Sequence, residues 1–329
     1  MKIIPTDCDI KAKKWKELFC MEFKHKPVML NEVIENLNIK EDGIYVDGTL
    51  GGAGHSIEIA EKLANRGILI GIDRDKDALE AAKQKLNKFN NIKYIHGNHD
   101  DIKKILDKLK IQKVDGILLD LGVSSYQLDE RSRGFSYLGN DILDMRMNKE
   151  QTFTAKDVVN TYSEESLSKI IFEYGEERFS RIIAKNIVKY RSKKEISTTN
   201  ELVKIIENSI PKSMQNNGHP AKRTFQAIRI EVNNEIRPLY NTITDCIDCL
   251  NPKGRLCVIT FHSLEDRSVK QAYLDACGKC MCPKDLPYCM CNYVSKGKII
   301  NKKPIISTKE ELKENIRAKS AKLRVFEKK

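Results

Sequence analysis

The stretch IYVDGTLGGAGHS, residues 44–56, decides the fold. A short apolar run ends in an acid, Asp47; four glycines, Gly48, Gly51, Gly52 and Gly54, follow within seven positions, and a helical pattern then begins. Glycine at this density lets a backbone approach a ligand closely. Outward from it the chain alternates. HSIEIAEKLANR is helical, with Ile57, Ala60 and Leu63/Ala64 on one face, and GILIGIDRD (67–75) is a second apolar run closed by acids. KDALEAAKQKLNKF reads as helix, NIKYIHGN as strand, DDIKKILDKLK as helix and VDGILLDLGVSS (114–125) as a buried strand. Such alternation predicts a parallel, doubly wound α/β sheet with ligands at the carboxyl ends of its strands.

The glycine pattern narrows the ligand. The dinucleotide fingerprint G-x-G-x-x-G fails, because Gly52-Ala53-Gly54 is followed by His55-Ser56-Ile57, and the Gly-Lys-Ser/Thr of a P-loop is absent. What remains is acid–Gly–x–x–Gly–Gly–x–Gly from Asp47 through Gly51 to Gly54, with Asp73 closing the next strand. This resembles the S-adenosylmethionine loop of class I methyltransferases. That cofactor carries no phosphate, so the helix N-terminus has only a carboxylate to attract, while Asp73 is placed to accept from ribose hydroxyls. The bland alternative is a tight turn beside a surface carboxylate. His99 follows the third strand, where it either borders the adenine or is a surface-loop histidine.

Asp120 ends the fourth strand, where the methyl would be transferred. An exocyclic ring amine is a poor nucleophile because its lone pair is conjugated, and an acceptor that holds its hydrogens helps it pyramidalise. Asp120-Leu121-Gly122-Val123 keeps a carboxylate and a tight turn, but not the prolines and aromatic of DNA amino methyltransferases.

Taken together, FKHKPVMLNEV, DGTLGGAGHS, IDRD, ILLDLGVSSYQLD, YGEERFSRIIAKNIV, HPAKRTFQAIRIEVNNE, GRLCVITFHSLEDRSVK and IRAKSAKLRVFEK resemble the RsmH (MraW) family from about Phe23 onward. The resemblance implies S-adenosylmethionine-dependent methylation of a cytosine N4 amine in the decoding region of small-subunit (16S) ribosomal RNA. It implies that the cofactor is held by Ala53, Gly54, His55, Asp73, His99, Asp120 and Gln127. It also implies a class I, Rossmann-like core with an inserted all-helical domain. Independently, strand alternation is lost from about 145 to 218 and resumes at GRLCVITFH (254–262). The expected division is a basic extension (1–22), first core part (23–144), helical insert (145–218) and second core part (219–329).

A net charge of +12 points to a polyanionic partner, and 40% hydrophobic residues can build a substantial core. No run approaches the ~20 apolar residues of a membrane span, and the N-terminus lacks a secretory signal pattern, so a cytoplasmic protein acting away from the membrane is expected. In the insert, Phe179, Ile182/Ile183, Ile187 and Tyr190 are expected to face a core. Arg178, Arg181, Lys185 and Lys189 on the other side either contact phosphates or form a solvated face. Phe225, Ile228, Val232 and Ile236 make another buried stripe. Lys222, Gln226, Arg229 and Asn233, with Arg223 beside them, form either an RNA-contacting row or a polar surface. His262, Ser263 and Arg267 lie at a strand's carboxyl end on the substrate side, and Ser263-x-x-Asp266 fits a capping box. The basic segment from Arg317 to Lys329 contacts RNA or packs its LRVFE strand on the sheet edge.

Within CGKCMCPKDLPYCMC (277–291), Cys280, Cys282, Cys289 and Cys291 form two C-x-C pairs of a kind that holds a structural zinc; free thiols or a redox switch are the alternatives. Cys246 and Cys249 read as core. Two other functions stay open at this point: a DNA amino methyltransferase, and a non-catalytic, basic RNA-binding factor in ribosome assembly. Naked ribosomal RNA and the assembled small subunit are both admissible substrates.

Overall fold

The computed structural model describes residues 27–64, 66–215, 218–278 and 294–329. The extension 1–22 and the four zinc-candidate cysteines, Cys280, Cys282, Cys289 and Cys291, lie outside the described residues. The first half alternates as its pattern requires: α1 (Leu30–Leu37), β1 (Ile44–Asp47), α2 (Gly54–Lys62), β2 (Ile68–Asp73), α3 (Lys76–Lys85), β3 (Ile92–His96), α4 (Ile102–Lys108) and β4 (Val114–Asp120). After the short α5 (Ser125–Asp129) come five helices without a strand: α6 (Ala155–Thr161), α7 (Glu164–Gly175), α8 (Ser180–Arg191), α9 (Thr199–Ser209) and α10 (Lys222–Asn233). The sheet resumes with α11 (Leu239–Cys249), β5 (Leu250–Thr260), α12 (Ser263–Cys277), β6 (Gly297–Ile299), β7 (Ile305–Ile306), α13 (Lys309–Glu314) and β8 (Lys322–Lys328).

The strand order is β3-β2-β1-β4-β5-β8-β6, with β7 also on β8; β1 to β5 run parallel, and β8 is antiparallel to its neighbours. Strands covered on both faces read as continuous apolar runs, and alternate residues sort to the two sides. Val46, Ile70, Ile117 and Val258 pack with Ile102 of α4, Ile243 of α11 and Val269 of α12. Tyr45, Leu69, Leu118 and Ile259 pack on the other face with Val33 of α1, Ile59 of α2 and Leu79 of α3. A third cluster runs from Phe135 to Val232 and belongs to the helices between β4 and β5. It includes Phe225 and Ile228 of α10, past the expected division at 218.

Several sequence expectations are corrected. Ile182 is 47% exposed, because α8 starts only at Ser180 and its buried stripe is Ile183, Ala184 and Ile187. The α10 stripe ends with Val232, since Asn234 turns left-handed (φ 49°) and Ile236 joins the sheet cluster instead. β5 begins at Leu250, four residues before the expected start. β8 is no edge strand: it lies between β5 and the pair β6 and β7. Helix α12 is capped one residue earlier than expected. Glu265 accepts from the Phe261 and His262 amides at 2.7 and 3.3 Å, while Asp266 binds Arg324 Nε at 2.6 Å.

Candidate active site

Parallel pairing brings the ends of β1, β2 and β4 side by side, with Asp47 registered against both Gly71 and Leu118. Three acids meet there: Asp47, Asp73 and Asp120. The loop after β1 bends through left-handed conformations at Gly51 (φ 48°) and Ala53 (φ 62°), the latter the N-cap of α2. That bend aims the Gly51 N–H at Asp73 Oδ2, 2.7 Å away, while Asp75 N–H donates to Asp73 Oδ1 at 2.8 Å. Asp73 thus ties the glycine loop to the turn after β2, and burial pushes its carboxyl up to about 6. Asp47 is buried beneath the loop, accepting from Ser56 Oγ at 2.7 Å and Thr49 N at 3.1 Å. Burial raises its pKa as well.

Asp120 is held by its backbone, whose N–H donates to Thr49 Oγ1 at 2.6 Å. Its side chain is less satisfied. Oδ1 is buried without a hydrogen-bond partner, and Oδ2 lies 3.8 Å from His55 Nδ1. Burial, with the Asp47 and Glu265 carboxylates nearby, pushes Asp120 up to about 8. His55 Nε2 sits 2.9 Å from the Val28 carbonyl. A carbonyl only accepts, so this assigns the proton to Nε2 and leaves Nδ1 facing Asp120. His99 opens the turn after β3 with a side chain 12% exposed; burial and the Arg74 cation push it down to about 4, so its ring is neutral.

Gln127 is buried behind these groups. Its Nε2 donates to Asp75 Oδ2 at 2.9 Å, and its Oε1 accepts from Ser124 N at 3.1 Å. Sequence reasoning missed four residues that hold the site together: Thr49, Arg74, Asp75 and Arg133. Arg74 reaches Asn98 Oδ1 at 2.9 Å and the Asn233 carbonyl at 3.1 Å. The acids and arginine of IDRD carried the signal for two of these, but nothing local distinguishes Thr49 or Arg133.

Among the expected RNA contacts, Arg178, Arg181, Lys185, Lys189, Lys222 and Arg223 are exposed. Arg229 and Asn233 are not available. Arg229 forms a two-pronged pair with Glu235 (3.0 and 2.9 Å), and Asn233 bonds Met145 O and Met147 N at 2.8 and 2.7 Å. Gln226 donates to the Tyr174 carbonyl. His262 Nε2 lies 3.0 Å from Glu265. Ser263 and Arg267 both engage Glu176, at the end of α7, with Arg267 at 2.6 Å. Among the described residues no group of three or more His, Cys, Asp or Glu is placed to hold a metal, and no helix is long and apolar enough to cross a membrane.

Residues 22–329 match the model of the MraW methylase family. The chain is 58% identical to the ribosomal RNA small subunit methyltransferase H of Lachnospira eligens over 311 residues, 94% of this chain and 99% of that one. It is 56% identical over 308 residues to the protein of that name in Clostridium botulinum (strain Loch Maree), covering 94% and 100%. For the protein of that name in Clostridioides difficile the identity is 54% over 310 residues, again covering 94% and 100%.

Proposed function

Since the chain belongs to the MraW methylase family, we propose that it methylates small-subunit (16S) ribosomal RNA, moving the methyl of S-adenosylmethionine to the exocyclic N4 amine of a cytosine in the decoding region. The observation that carries the amine chemistry is Asp120 Oδ1, a buried acceptor without a partner at the end of β4, beside the left-handed loop. A buried carboxylate oxygen costs free energy unless a donor meets it, and an amine hydrogen is such a donor.

S-adenosylmethionine, when bound, supplies an electrophilic methyl on a sulfonium. The loop at Asp47, Gly51, Ala53, Gly54 and His55, with Asp73 and His99, fits this cofactor: backbone donors at the start of α2 suit a carboxylate, Asp73 suits ribose hydroxyls, and neutral His99 suits the adenine edge. Gln127 acts from behind, holding Asp75, whose N–H holds Asp73. Asp120 accepts the amine's hydrogens, which aligns the nitrogen lone pair and stabilises the charge that develops on it. As the methyl's bond passes from sulfur to nitrogen and the neutral thioether leaves, Asp120 would take the surplus amine proton, its raised pKa making it a better base than an ordinary carboxylate. No covalent enzyme intermediate is needed, and the chain neighbours of Asp120, Leu119 and Leu121, offer no thiol to form one.

Exposed Arg178, in the turn before α8, Arg181, on α8, and Lys222 and Arg223, on α10, supply phosphate contacts; His262, Ser263 and Arg267 line the approach from β5. The reaction takes place in the cytoplasm, on naked RNA or on the assembled small subunit. The two C-x-C pairs, Cys280 with Cys282 and Cys289 with Cys291, would hold a structural zinc, for which one equivalent per chain in elemental analysis is expected. DNA amino methylation and a non-catalytic assembly role are disfavoured, because the relatives are named for ribosomal RNA methylation and this chain keeps the acceptor carboxylate.

The test is methyl transfer from labelled S-adenosylmethionine to small subunits lacking the modification, naked ribosomal RNA and duplex DNA, with nucleosides identified by mass spectrometry. Labelled N4-methylcytidine from subunits or ribosomal RNA is expected. Label only in deoxynucleosides, or none despite cofactor binding, would overturn the reading.

A further inference from the structure

We propose that a cavity at the carboxyl end of β5 receives the RNA nucleotide adjoining the target cytosine, and that Phe261 is the partition between the two bases. The proposal rests on the function above and adds to it a second nucleotide subsite. The cavity has a volume of about 240 Å³ and is lined by Phe261, His262 and Ser263 from the turn into α12 and by Lys319, Ser320 and Lys322 from the approach to β8. That is below the usual ~300–1,000 Å³ of a drug-sized site, a size that suits one base and not two.

Its place in the sheet fixes its relation to the chemistry. In the order β1-β4-β5-β8 the cofactor loop follows β1, Asp120 ends β4, and the cavity lies over β5 and β8. Asp120 is registered against Ile259, two residues before Phe261. The cavity is therefore displaced from the amine acceptor by about one or two strand spacings of ~4.8 Å, on the side away from the cofactor. The Phe261 ring stands at the boundary. One ring carbon lies 3.6 Å from where a side chain on Gly122 would begin, and Gly122, with φ 92°, has none. The half-buried ring thus reaches the turn after Asp120 and also lines the cavity, while it packs in part against the α1 and α2 side of the sheet.

The chemistry of the lining is that of a single-stranded nucleotide site: an aromatic surface, small polar groups and cations. Lys319 is exposed and has no carboxylate partner among the described residues. Lys322 lies 3.3 Å from Asp266, but Arg324 already holds that carboxylate at 2.6 Å, so Lys322 can turn to a phosphate while Asp266 stays paired. The overall charge of +12 has the sign such a partner needs.

The experiment uses the full chain and short single-stranded RNAs containing the cytosine identified by the methylation assay, either intact or with an abasic ribose at its 5′ or 3′ neighbour. Wild-type protein should lose about five- to a hundredfold in kcat/KM on one of the two abasic RNAs, the usual worth of one base–aromatic stack. Phe261→Ala, and Phe261→Leu, which keeps apolar packing, should show that loss on intact RNA and little further loss on the same abasic RNA. Lys319→Glu should raise KM on all three RNAs at unchanged melting temperature, and cofactor affinity should stay unchanged in every variant. Because Phe261 also packs against the α1 and α2 side of the sheet, Phe261→Ala should melt lower and Phe261→Leu less so. Additive losses, or variants that discriminate among the RNAs as wild type does, would overturn the subsite and leave the methylation reading standing. Wild-type protein that methylates neither these RNAs nor the small subunits and ribosomal RNA of the first assay would overturn both.

Discussion

Arg133 Nη1 lies 2.7 Å from Asp75 Oδ2, and the two side chains are 3% and 2% exposed. The same carboxylate oxygen takes Gln127 Nε2, and Arg133 Nη2 reaches the carbonyls of Arg146 and Met147. One buried pair therefore joins the turn after β2, helix α5 and the chain entering the helical insert. A buried pair adds little over a well-packed apolar substitute, but removing one partner strands the other. Arg133→Met should lower unfolding free energy by about 3–5 kcal/mol in urea titration, and adding Asp75→Asn should recover part of that loss. Equal stability of Arg133→Met and wild type would refute the coupling.

Asp73 holds the glycine loop and the β2 turn through one backbone amide each. Asp73→Ala frees both, and a hydrogen bond to a charged group is worth about 1.5–3 kcal/mol. Calorimetry should show S-adenosylmethionine binding weakened by at least about tenfold. RNA affinity should hold, because the exposed cations are elsewhere; a parallel loss of RNA binding would count against the assignment.

Asp120 carries a pH signature. Its folded-state pKa of about 8 lies above the ordinary 3.8, so between those values the folded chain keeps a proton that the unfolded chain has released. The associated stability is complete below about 3.8 and is lost as pH rises through 8. Asp120→Asn should abolish methyl transfer, yet unfold at higher temperature than wild type at pH ~9, by the equivalent of at least about 1 kcal/mol, with no gain near pH 4. In wild type, kcat/KM for the cofactor should rise with pH through about 8. At saturating cofactor the rise should move to lower pH, since a sulfonium cation favours the carboxylate.

The exposed cations of α8 can be told from the paired one on α10 by salt. Arg181→Ala and Lys185→Ala should each reduce the slope of log affinity against log salt by about 1 while leaving stability within about 0.5 kcal/mol. Arg229→Ala should leave the slope unchanged and destabilise the fold, because Glu235 loses its two-pronged partner.

What sequence made legible was local. Continuous apolar runs closed by Asp47, Asp73 and Asp120 marked the strands whose ends carry the site, and the glycines after Asp47 marked the loop that turns left-handed. What it could not show was which polar groups meet across the fold. Arg229 and Arg181 look alike along a helix, yet one faces Glu235, brought back by the left-handed turn at Asn234, and the other faces solvent. Likewise Glu265 and Asp266 both stand near the N-terminus of α12, and only the nearness of Arg324 on β8 decides which of them caps it.

The placement of the insert also sets an order of birth. β4 and β5 pair side by side although Asp120 and Ile259 are more than 130 positions apart. At translation rates of about 5–20 residues per second, the strand that bears Asp120 waits on the order of ten seconds for its neighbour. All residues of the insert's own apolar cluster, Phe135 to Val232, have been made by then. The helical domain can close first, while the catalytic strand still shows an open hydrogen-bonding edge, the feature most prone to wrong pairing. In this protein the part that does the chemistry is among the last to be sealed.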